Sequence, residues 1–325
     1  MAEKLAVAVD LGATRVRVCL GSKSGRIVRR VSKKMVIGEK VEDYLGQITL
    51  VMRNMMRGYG KLDLQGICVA SPGPLNLRRG LIVRTANLPY PQVPIVEAIR
   101  DAFHNDVYLV NDANAAALGE WLRGAGKGRL NVFYLTISTG IGGGAVVDGK
   151  LLLGKEGNAA EVGHTTIDSS GRMTCGCGRP GHWEAYCSGS GIPRFARRLL
   201  DELETSERNS LSGSSLVRNL SKADAPAVFR AAARGDRFGV RVIAEVGRLN
   251  AMGVANITDA FDPEIVTIGG GVALNNPDAI ISPIRKKVED YAINRAPEVR
   301  ITPLGDDAGL LGALSVTYDP GLIGR

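Results

Sequence analysis

The hydrophobic pattern sets in at the N-terminus. Residues 5–20, LAVAVDLGATRVRVCL, read as an apolar strand to Val9, a loop Asp10-Leu11-Gly12-Ala13-Thr14, and a second strand in which Val16, Val18 and Leu20 take alternate positions. The arrangement returns between Leu135 and Lys150, LTISTGIGGGAVVDGK. Here the apolar run Val132 to Leu135 leads into a hydroxyl- and glycine-rich loop, Ser138 to Gly144, and a second apolar run, Ala145 to Val147. The Asp148-Gly149 pair that follows suits a type I′ hairpin turn, whose central residues need positive φ. Two strand-loop-strand units, one per half of the chain, are therefore predicted.

The remaining elements follow the same logic. Arg26 to Lys34 reads as a third strand of an N-terminal antiparallel meander. Val41, Tyr44, Leu45, Ile48, Met52, Met55, Met56 and Tyr59 recur at helical spacing, with the methionines as core packing. A strand from Gly66 to Ala70 stops at Ser71-Pro72-Gly73-Pro74. A short helix spans 95–103, and the buried strand Val107 to Val110 leads through Asn111-Asp112-Ala113-Asn114 into an alanine-rich helix reaching Trp121. Further on come a helix from Ile192 to Leu203, a polar, serine-rich flexible loop or insertion from Glu204 to Asp224, and helices over Ala225 to Arg234 and Phe238 to Phe261. A strand, Ile265 to Ile268, ends in Gly269-Gly270-Gly271. After it come a helix from Pro277 to Asn294, a strand near Val299 to Thr302, and a small-residue helix opened by Gly305-Asp306-Asp307-Ala308-Gly309.

Composition narrows the class. A chain of 325 residues with 45% hydrophobic content has room for two domains with substantial cores. No secretory signal is evident, and no apolar run approaches the ~20 residues of a membrane helix, so a cytoplasmic location is expected. Five cysteines, Cys19, Cys68, Cys175, Cys177 and Cys187, do not make a disulfide framework. The net charge of +8 is spread over short basic pairs, which favours a solvated basic surface over nucleic-acid binding.

Candidate chemistry sits at strand ends. The two loops leave backbone N–H groups to approach phosphate oxygens, and Asp10 adds a carboxylate of the kind a Mg²⁺-nucleotide site uses directly or through water. Neither loop is a GxxxxGK[ST] phosphate loop or a helix-opening GxGxxG. Asp112 can cap the alanine-rich helix or serve as a general base, and the roles are compatible. Gly270 and Gly271 could admit an adenine or ribose, or form only a strand-to-helix turn. The densest polar stretch holds Glu161, His164, Cys175, Cys177, His182 and Glu184. Two cysteines and two histidines are enough for a closed tetrahedral Zn²⁺ site, and a loop this poor in apolar side chains needs a staple.

These pieces resemble the ROK family of sugar kinases and related repressors, within the actin-like ATPase superfamily. The resemblance runs from Asp10 to about Val316 and rests on DLGAT, NDANAAALGE, STGIGGG, EVGH, CGCGRPGHWE, the triple glycine and LGDDAGLLGA. It implies an α/β chain of two ribonuclease-H-like domains with an interdomain active-site cleft: a small domain at 1–110 with 306–325, and a large one at 111–305 carrying a zinc-binding loop. It implies ATP-dependent phosphorylation of a hexose at its 6-hydroxyl, glucokinase-like, with Mg²⁺ and structural Zn²⁺. Nucleotide contacts carry over to Asp10, Gly12, Ala13, Thr14, Thr139, Gly140, Gly142, Gly143, Gly270 and Gly271. Asp112 carries over as the base, and Gly73, Asn87, Asn111, Asp112, Glu161, His164 and Glu184 as sugar contacts. The family's metal motif has a third cysteine where this chain has His182, which leaves His164, Cys175, Cys177 and His182 as ligands with Cys187 as a substitute.

The resemblance also frames the alternatives. An N-acetylmannosamine, N-acetylglucosamine or fructose kinase would share most contacts, since such sugars differ at one carbon. A sugar-responsive repressor would carry a helix-turn-helix domain before the DxGxT loop, whereas nine residues precede Asp10. A non-catalytic sugar sensor is disfavoured by the retention of Asp112 with both phosphate loops. A homodimer, free of nucleic acid and membrane, is the assembly the family implies.

Overall fold

A computed structural model describes residues 4–12, 15–59, 63–83 and 88–324. The chain divides into two compact units, Met1–Tyr134 with Gly144–Ala160 and Asp306–Arg325, and Leu135–Gly143 with Glu161–Gly305.

The first unit is built on a five-stranded sheet in the order Ile27–Lys34, Arg15–Gly21, Ala6–Leu11, Ile67–Ser71, Val107–Asn111. The first two junctions are antiparallel, as the meander predicts, and the last two are parallel. Side chains alternate across a strand, so the sheet has two chemically distinct faces. One face presents Val7, Val9, Leu11, Val16, Val18 and Leu20 to the helices Val41–Met56 and Ile95–Phe103, where Met52 and Met55 are fully buried as core methionines. The other presents the small residues Ala6, Ala8, Cys19, Cys68 and Ala70 to the helices Asp112–Arg123 and Ala308–Tyr318. Asp10 and Arg17, cross-strand partners, share the parity of this second face.

Small residues on the sheet let those two helices come close to each other as well. A methyl group at Gly312 would lie 1.6 Å from the Ala115 carbonyl oxygen, and one at Gly119 would lie 2.3 Å from that of Ala308. On its other flank the Asp112 helix meets the strand Ile141–Val147, where a methyl at Gly144 would lie 2.5 Å from the Ala113 carbonyl oxygen. This packing draws Asn111 through Tyr134, and Gly144 through Ala160, into the first unit.

A second five-stranded sheet runs Lys150–Leu151, Ile141–Val147, Val132–Ile137, Ile265–Gly269, Glu298–Ile301. The hairpin joining Ile141–Val147 to Lys150–Leu151 turns at Asp148 and Gly149, with φ of 50° and 70°, the turn that this dipeptide predicts. In the second unit the helix Arg237–Phe261 is the packing spine: Trp183 lies against Gly253 and donates from Nε1 to Asn250 Oδ1 at 2.9 Å. A three-stranded sheet of Leu75–Asn76, Leu81–Val83 and Gln92–Val93 has no counterpart in the periodicity, its strands being two or three residues long.

Three expectations are corrected. Gly142 to Gly144 belong to a strand rather than a loop, because Ser138 N–H donates to the Gly140 carbonyl at 2.8 Å and closes the turn before Ile141. The stretch from Glu204 to Asp224 is helical over Thr205–Ser210 and Ser215–Asn219. Its serines are caps and anchors: Ser214 caps the second helix and donates to Asp236 at 2.7 Å, while Leu211, Leu216 and Leu220 are buried. The helix from Pro277 ends at Lys287 instead of near Asn294, because the Ile293 and Asn294 N–H groups donate to the Asp259 carboxylate, each at 3.0 Å. Among the described residues no helix is long and apolar enough to cross a membrane.

Gly312→Ala tests the helix contact. Propensity alone would stabilise a helix interior by up to ~1 kcal/mol, but the clash with backbone should reverse the sign and cost ~2 kcal/mol or more. We expect a fall in melting temperature of several degrees on thermal denaturation, with Gly309→Ala, whose methyl would have 3.5 Å of room, as the near-neutral control. A more stable Gly312→Ala protein would remove the close contact.

Candidate active site

In the first unit the strand Ala6–Leu11 delivers Asp10 to the small-residue face at its C-terminal end, and the Gly12 N–H donates to the Arg15 carbonyl at 2.8 Å across the loop. Ala13 and Thr14, expected phosphate contacts, lie outside the described residues, as does Asn87. Asp10 is 5% exposed and ion-paired with Arg17, whose other terminal nitrogen donates to the Asp306 carbonyl at 2.6 Å. Burial raises the Asp10 pKa above the ordinary carboxylate value, with Arg17 opposing it.

The cap of the alanine-rich helix is Asn111, not Asp112. The Asn111 side chain accepts from the Ala113 and Asn114 N–H groups at 3.0 and 3.1 Å, while Asp112 takes the first helical position with Oδ1 on the Ala113 N–H at 2.8 Å. Gly309, at the start of the last helix, has its missing methyl position 3.5 Å from Asp10 Oδ2 and 3.9 Å from the Asp112 carbonyl oxygen. The helix contact therefore brings Asp10, the start of the Asp112 helix and the Gly305–Asp307 turn together. Gly73, an expected sugar contact, is half-buried and precedes Pro74 through a cis peptide bond.

In the second unit three motifs meet at Ile141. Its N–H donates to Glu184 Oε2 at 2.9 Å, and a methyl on Gly163 would lie 2.1 Å from its carbonyl oxygen. The Glu161-to-His164 turn, Glu184 and the Thr139-Gly140 loop are thereby locked together. Burial and the Glu184 charge raise the Glu161 pKa, with His164 opposing them, so the three expected sugar contacts form one electrostatic group. Sequence reasoning missed what holds the loop from behind. The Gly189 N–H donates to the Ser138 carbonyl at 2.7 Å, and Ser190 donates to the Thr139 carbonyl through N–H and Oγ at 3.2 and 2.9 Å. The available signal was the small, hydroxyl-bearing run Ser188-Gly189-Ser190-Gly191 directly after the cysteine and histidine motif.

Gly270, at φ 86°, could not carry a side chain, because a methyl would meet the Ile137 carbonyl oxygen and Thr136 Oγ1, both at 2.6 Å. Gly271 has open space around its missing methyl. It starts the short helix Gly271–Asn275, beyond which Asn276 and Pro277 join Phe229, Ala232 and Val240 in lining a groove of about 430 Å³.

The expected metal ligands do gather. One donor atom each from His164, Cys175, Cys177 and His182 lies within 4.8 Å of all the others, with Cys175 Sγ 3.7 Å from His164 Nδ1 and Cys177 Sγ 3.3 Å from His182 Nδ1. Tetrahedral zinc, with bonds of about 2.0–2.3 Å, places neighbouring donors roughly 3.3–3.8 Å apart, a spacing these two pairs already have, and two thiols with two imidazoles are a donor set that suits Zn²⁺. Burial holds His182 below the ordinary imidazole value, with His164 and Arg179 adding to it, and favours the neutral ligand form. Burial pushes the Cys175 thiol up to about 12, which a metal reverses by ligating the thiolate. Cys187 is not part of the cluster: it is fully buried and its thiol faces the Val246 carbonyl.

The metal is not the loop's only conceivable staple. Asp168 accepts from Ser170 N–H and Arg172 Nε at 3.0 and 2.9 Å and from the Tyr186 hydroxyl at 2.7 Å. Burial works against its charge, but these bonds outweigh it and hold the carboxyl well below the usual range.

The ROK family profile matches residues 6–319 of this chain. A glucokinase of Aeropyrum pernix is 38% identical over 96% of both chains, and a glucokinase of Thermotoga maritima is 36% identical over 95% of this chain and 96% of its own. Among solved structures, a ROK family glucokinase from Streptomyces griseus in complex with glucose and AMPPNP superposes with a TM-score of 0.80 at 28% identity, covering 96% of this chain and 98% of that one. The fold is thus the mixed α/β, two-domain fold of ROK sugar kinases, and the chain belongs to the ROK family.

Proposed function

We propose that this protein transfers the γ-phosphoryl group of ATP to the 6-hydroxyl of a hexose, glucose being the first candidate. Support comes from the full-length similarity to glucokinases together with the division of labour at the start of the Asp112 helix. There Asn111 makes the two-bond cap, and Asp112 takes the position beside it, at the end of a strand next to Asp10 and Gly309.

In this reading Asp112 accepts the proton of the sugar's primary hydroxyl as the phosphoryl group moves. Phosphoryl transfer has little other covalent chemistry for a protein to perform, so positioning and charge neutralisation carry the rest. Backbone N–H groups of Thr139, Gly140, Gly142 and Gly143 hold the phosphates, while Gly12, whose own N–H is taken by the Arg15 carbonyl, lets them approach the first loop closely. The second loop is fixed from behind by Ser190 and Glu184. Mg²⁺ bound with the nucleotide would neutralise phosphate charge, with Asp10 as the carboxylate that would hold it. Glu161, His164, Glu184 and Asn111 orient the sugar, the carboxylates by accepting hydrogen bonds from adjacent hydroxyls. Gly270 and Gly271 lead the adenosine toward the Phe229–Val240 groove. The same reading takes the protein to be a cytoplasmic homodimer, as the resemblance implies, with Zn²⁺ on His164, Cys175, Cys177 and His182.

Asp112→Asn should lower kcat at least ~100-fold in a coupled ADP-release assay with glucose, with modest change in the apparent ATP affinity. Near-normal turnover would exclude Asp112 as the base. Ala232→Trp, which fills the groove, should raise the KM for ATP several-fold while leaving that for sugar near its starting value; unchanged ATP kinetics would move the adenine elsewhere. Elemental analysis after exhaustive dialysis should find about one zinc per chain, reduced by Cys177→Ser. A fully folded, zinc-free wild type would leave Asp168 as the loop's staple and remove the metal from the account.

A further inference from the structure

The hairpin Arg15–Gly21 to Ile27–Lys34 carries two arginines toward the last helix, and neither belongs to the motifs on which the resemblance rests. Arg17 stands directly opposite Asp10 in the strand register, pairs with its carboxylate through one terminal nitrogen, and reaches the Asp306 carbonyl through the other at 2.6 Å. Arg30, opposite Cys19 on the next strand, donates to both carboxylate oxygens of Asp307, at 3.1 and 3.0 Å. The two guanidinium groups thus grip adjacent residues of the turn Gly305–Asp307, which opens the helix whose Gly309 borders Asp10.

The two grips differ in kind. The Arg30 side chain is 66% exposed and its partner 33% exposed, the setting in which an ion pair contributes little. The Arg17 side chain is 35% exposed, but that of Asp10 is only 7% exposed, and its charge has been taken out of water. A buried carboxylate needs a charged, hydrogen-bonding partner to remain an anion of fixed orientation. The guanidinium fork can hold such a carboxylate with one arm and a carbonyl with the other, which an ammonium can do only less rigidly.

We infer that Arg17 is a positioning residue for the metal-nucleotide site, holding the Asp10 carboxylate ionised and aimed while tying it to the turn that starts the last helix. The inference rests on the proposed reading of Asp10 as the Mg²⁺-nucleotide carboxylate. Arg17's contacts run to Asp10 and the Asp306 carbonyl, so in this role it acts through Asp10, and its removal should matter only where Asp10 matters, which is when the metal accompanies the nucleotide. A merely structural arginine would affect metal-bound and metal-free nucleotide alike.

Calorimetric titration of the whole protein with AMPPNP, once with Mg²⁺ and once with EDTA, separates these cases without requiring turnover. Arg17→Gln should weaken binding about tenfold with Mg²⁺ and leave metal-free binding unchanged, the scale expected for a hydrogen bond to a charged group. Arg17→Lys should recover only part of the loss, still weakening binding about threefold with Mg²⁺ because an ammonium holds the carboxylate less rigidly, and in an Asp10→Asn background Arg17→Gln should add less than about twofold. Equal weakening with and without Mg²⁺, or an undiminished effect in the Asp10→Asn background, would overturn the inference. Should Arg17→Gln lose its thermal unfolding transition, Arg17→Lys decides alone: a loss confined to the Mg²⁺ titration supports the role, and none contradicts it. Sugar-independent ADP release by the wild type would defeat the hexokinase reading, while the titration would still decide what Arg17 does.

Discussion

The closest constraint in the protein is the approach of two helices without side chains between them. Gly312 lies against the Ala115 carbonyl and Gly119 against that of Ala308, so the last helix and the Asp112 helix meet backbone to backbone. That contact is possible because the sheet beneath them presents alanines and cysteines on one face and keeps its large residues on the other. It carries the chain's last segment back to its first strand. Asp10, the cap at Asn111 and the turn before Ala308 then become neighbours, although they lie about a hundred to three hundred residues apart in the sequence. The acidic chemistry of the first unit depends on helices packed too tightly to move independently.

The second unit solves the corresponding problem with hydrogen bonds. If the Thr139–Gly143 stretch holds phosphates as proposed, it must keep its own N–H groups for the ligand, so its shape has to be set by other contacts. Here the Ser138 and Thr139 carbonyls are held by Gly189 and Ser190, and Ile141 is held by Glu184 and abutted by Gly163. Glu184 belongs to the short helix Glu184–Cys187 that directly follows the cysteine and histidine loop, and Trp183 anchors that helix to Asn250. The Cys/His cluster, Glu161 with Glu184, and the Ser138–Gly140 turn are thus one covalently and electrostatically continuous block. Zinc in this block would act on geometry, through Cys175 beside Glu184 Oε1 at 3.5 Å, rather than on the phosphoryl group.

Much of this was legible in the sequence because local signals agreed with the tertiary result. Alternation gave the Asp10 hairpin, Asp148-Gly149 gave the turn after Ile141–Val147, helical spacing gave Met52 and Met55, and two cysteines and two histidines in one loop gave the Cys/His cluster. Other features were illegible for physical reasons. The serines of 204–224 read as loop because a serine that caps and a serine that floats look alike until Asp236 is known to receive them. Gly142 to Gly144 read as loop because the reason for a glycine at 144, the Ala113 carbonyl, lies 31 residues earlier in the chain. The choice between Asn111 and Asp112 as the cap turns on a single residue of helix phase. Arg17 carried no signal at all, since its importance lies in the burial of the carboxylate opposite it.

The chemical identity of the product is the most direct test of a base acting on a primary hydroxyl. With wild-type protein, Mg-ATP and glucose, phosphorus and proton NMR of the isolated product should show one new phosphomonoester coupled to the protons on C6, formed in equal amount with ADP. Phosphate at any other oxygen, or ADP with no sugar phosphate, would contradict the geometry of one base accepting a proton from a primary hydroxyl.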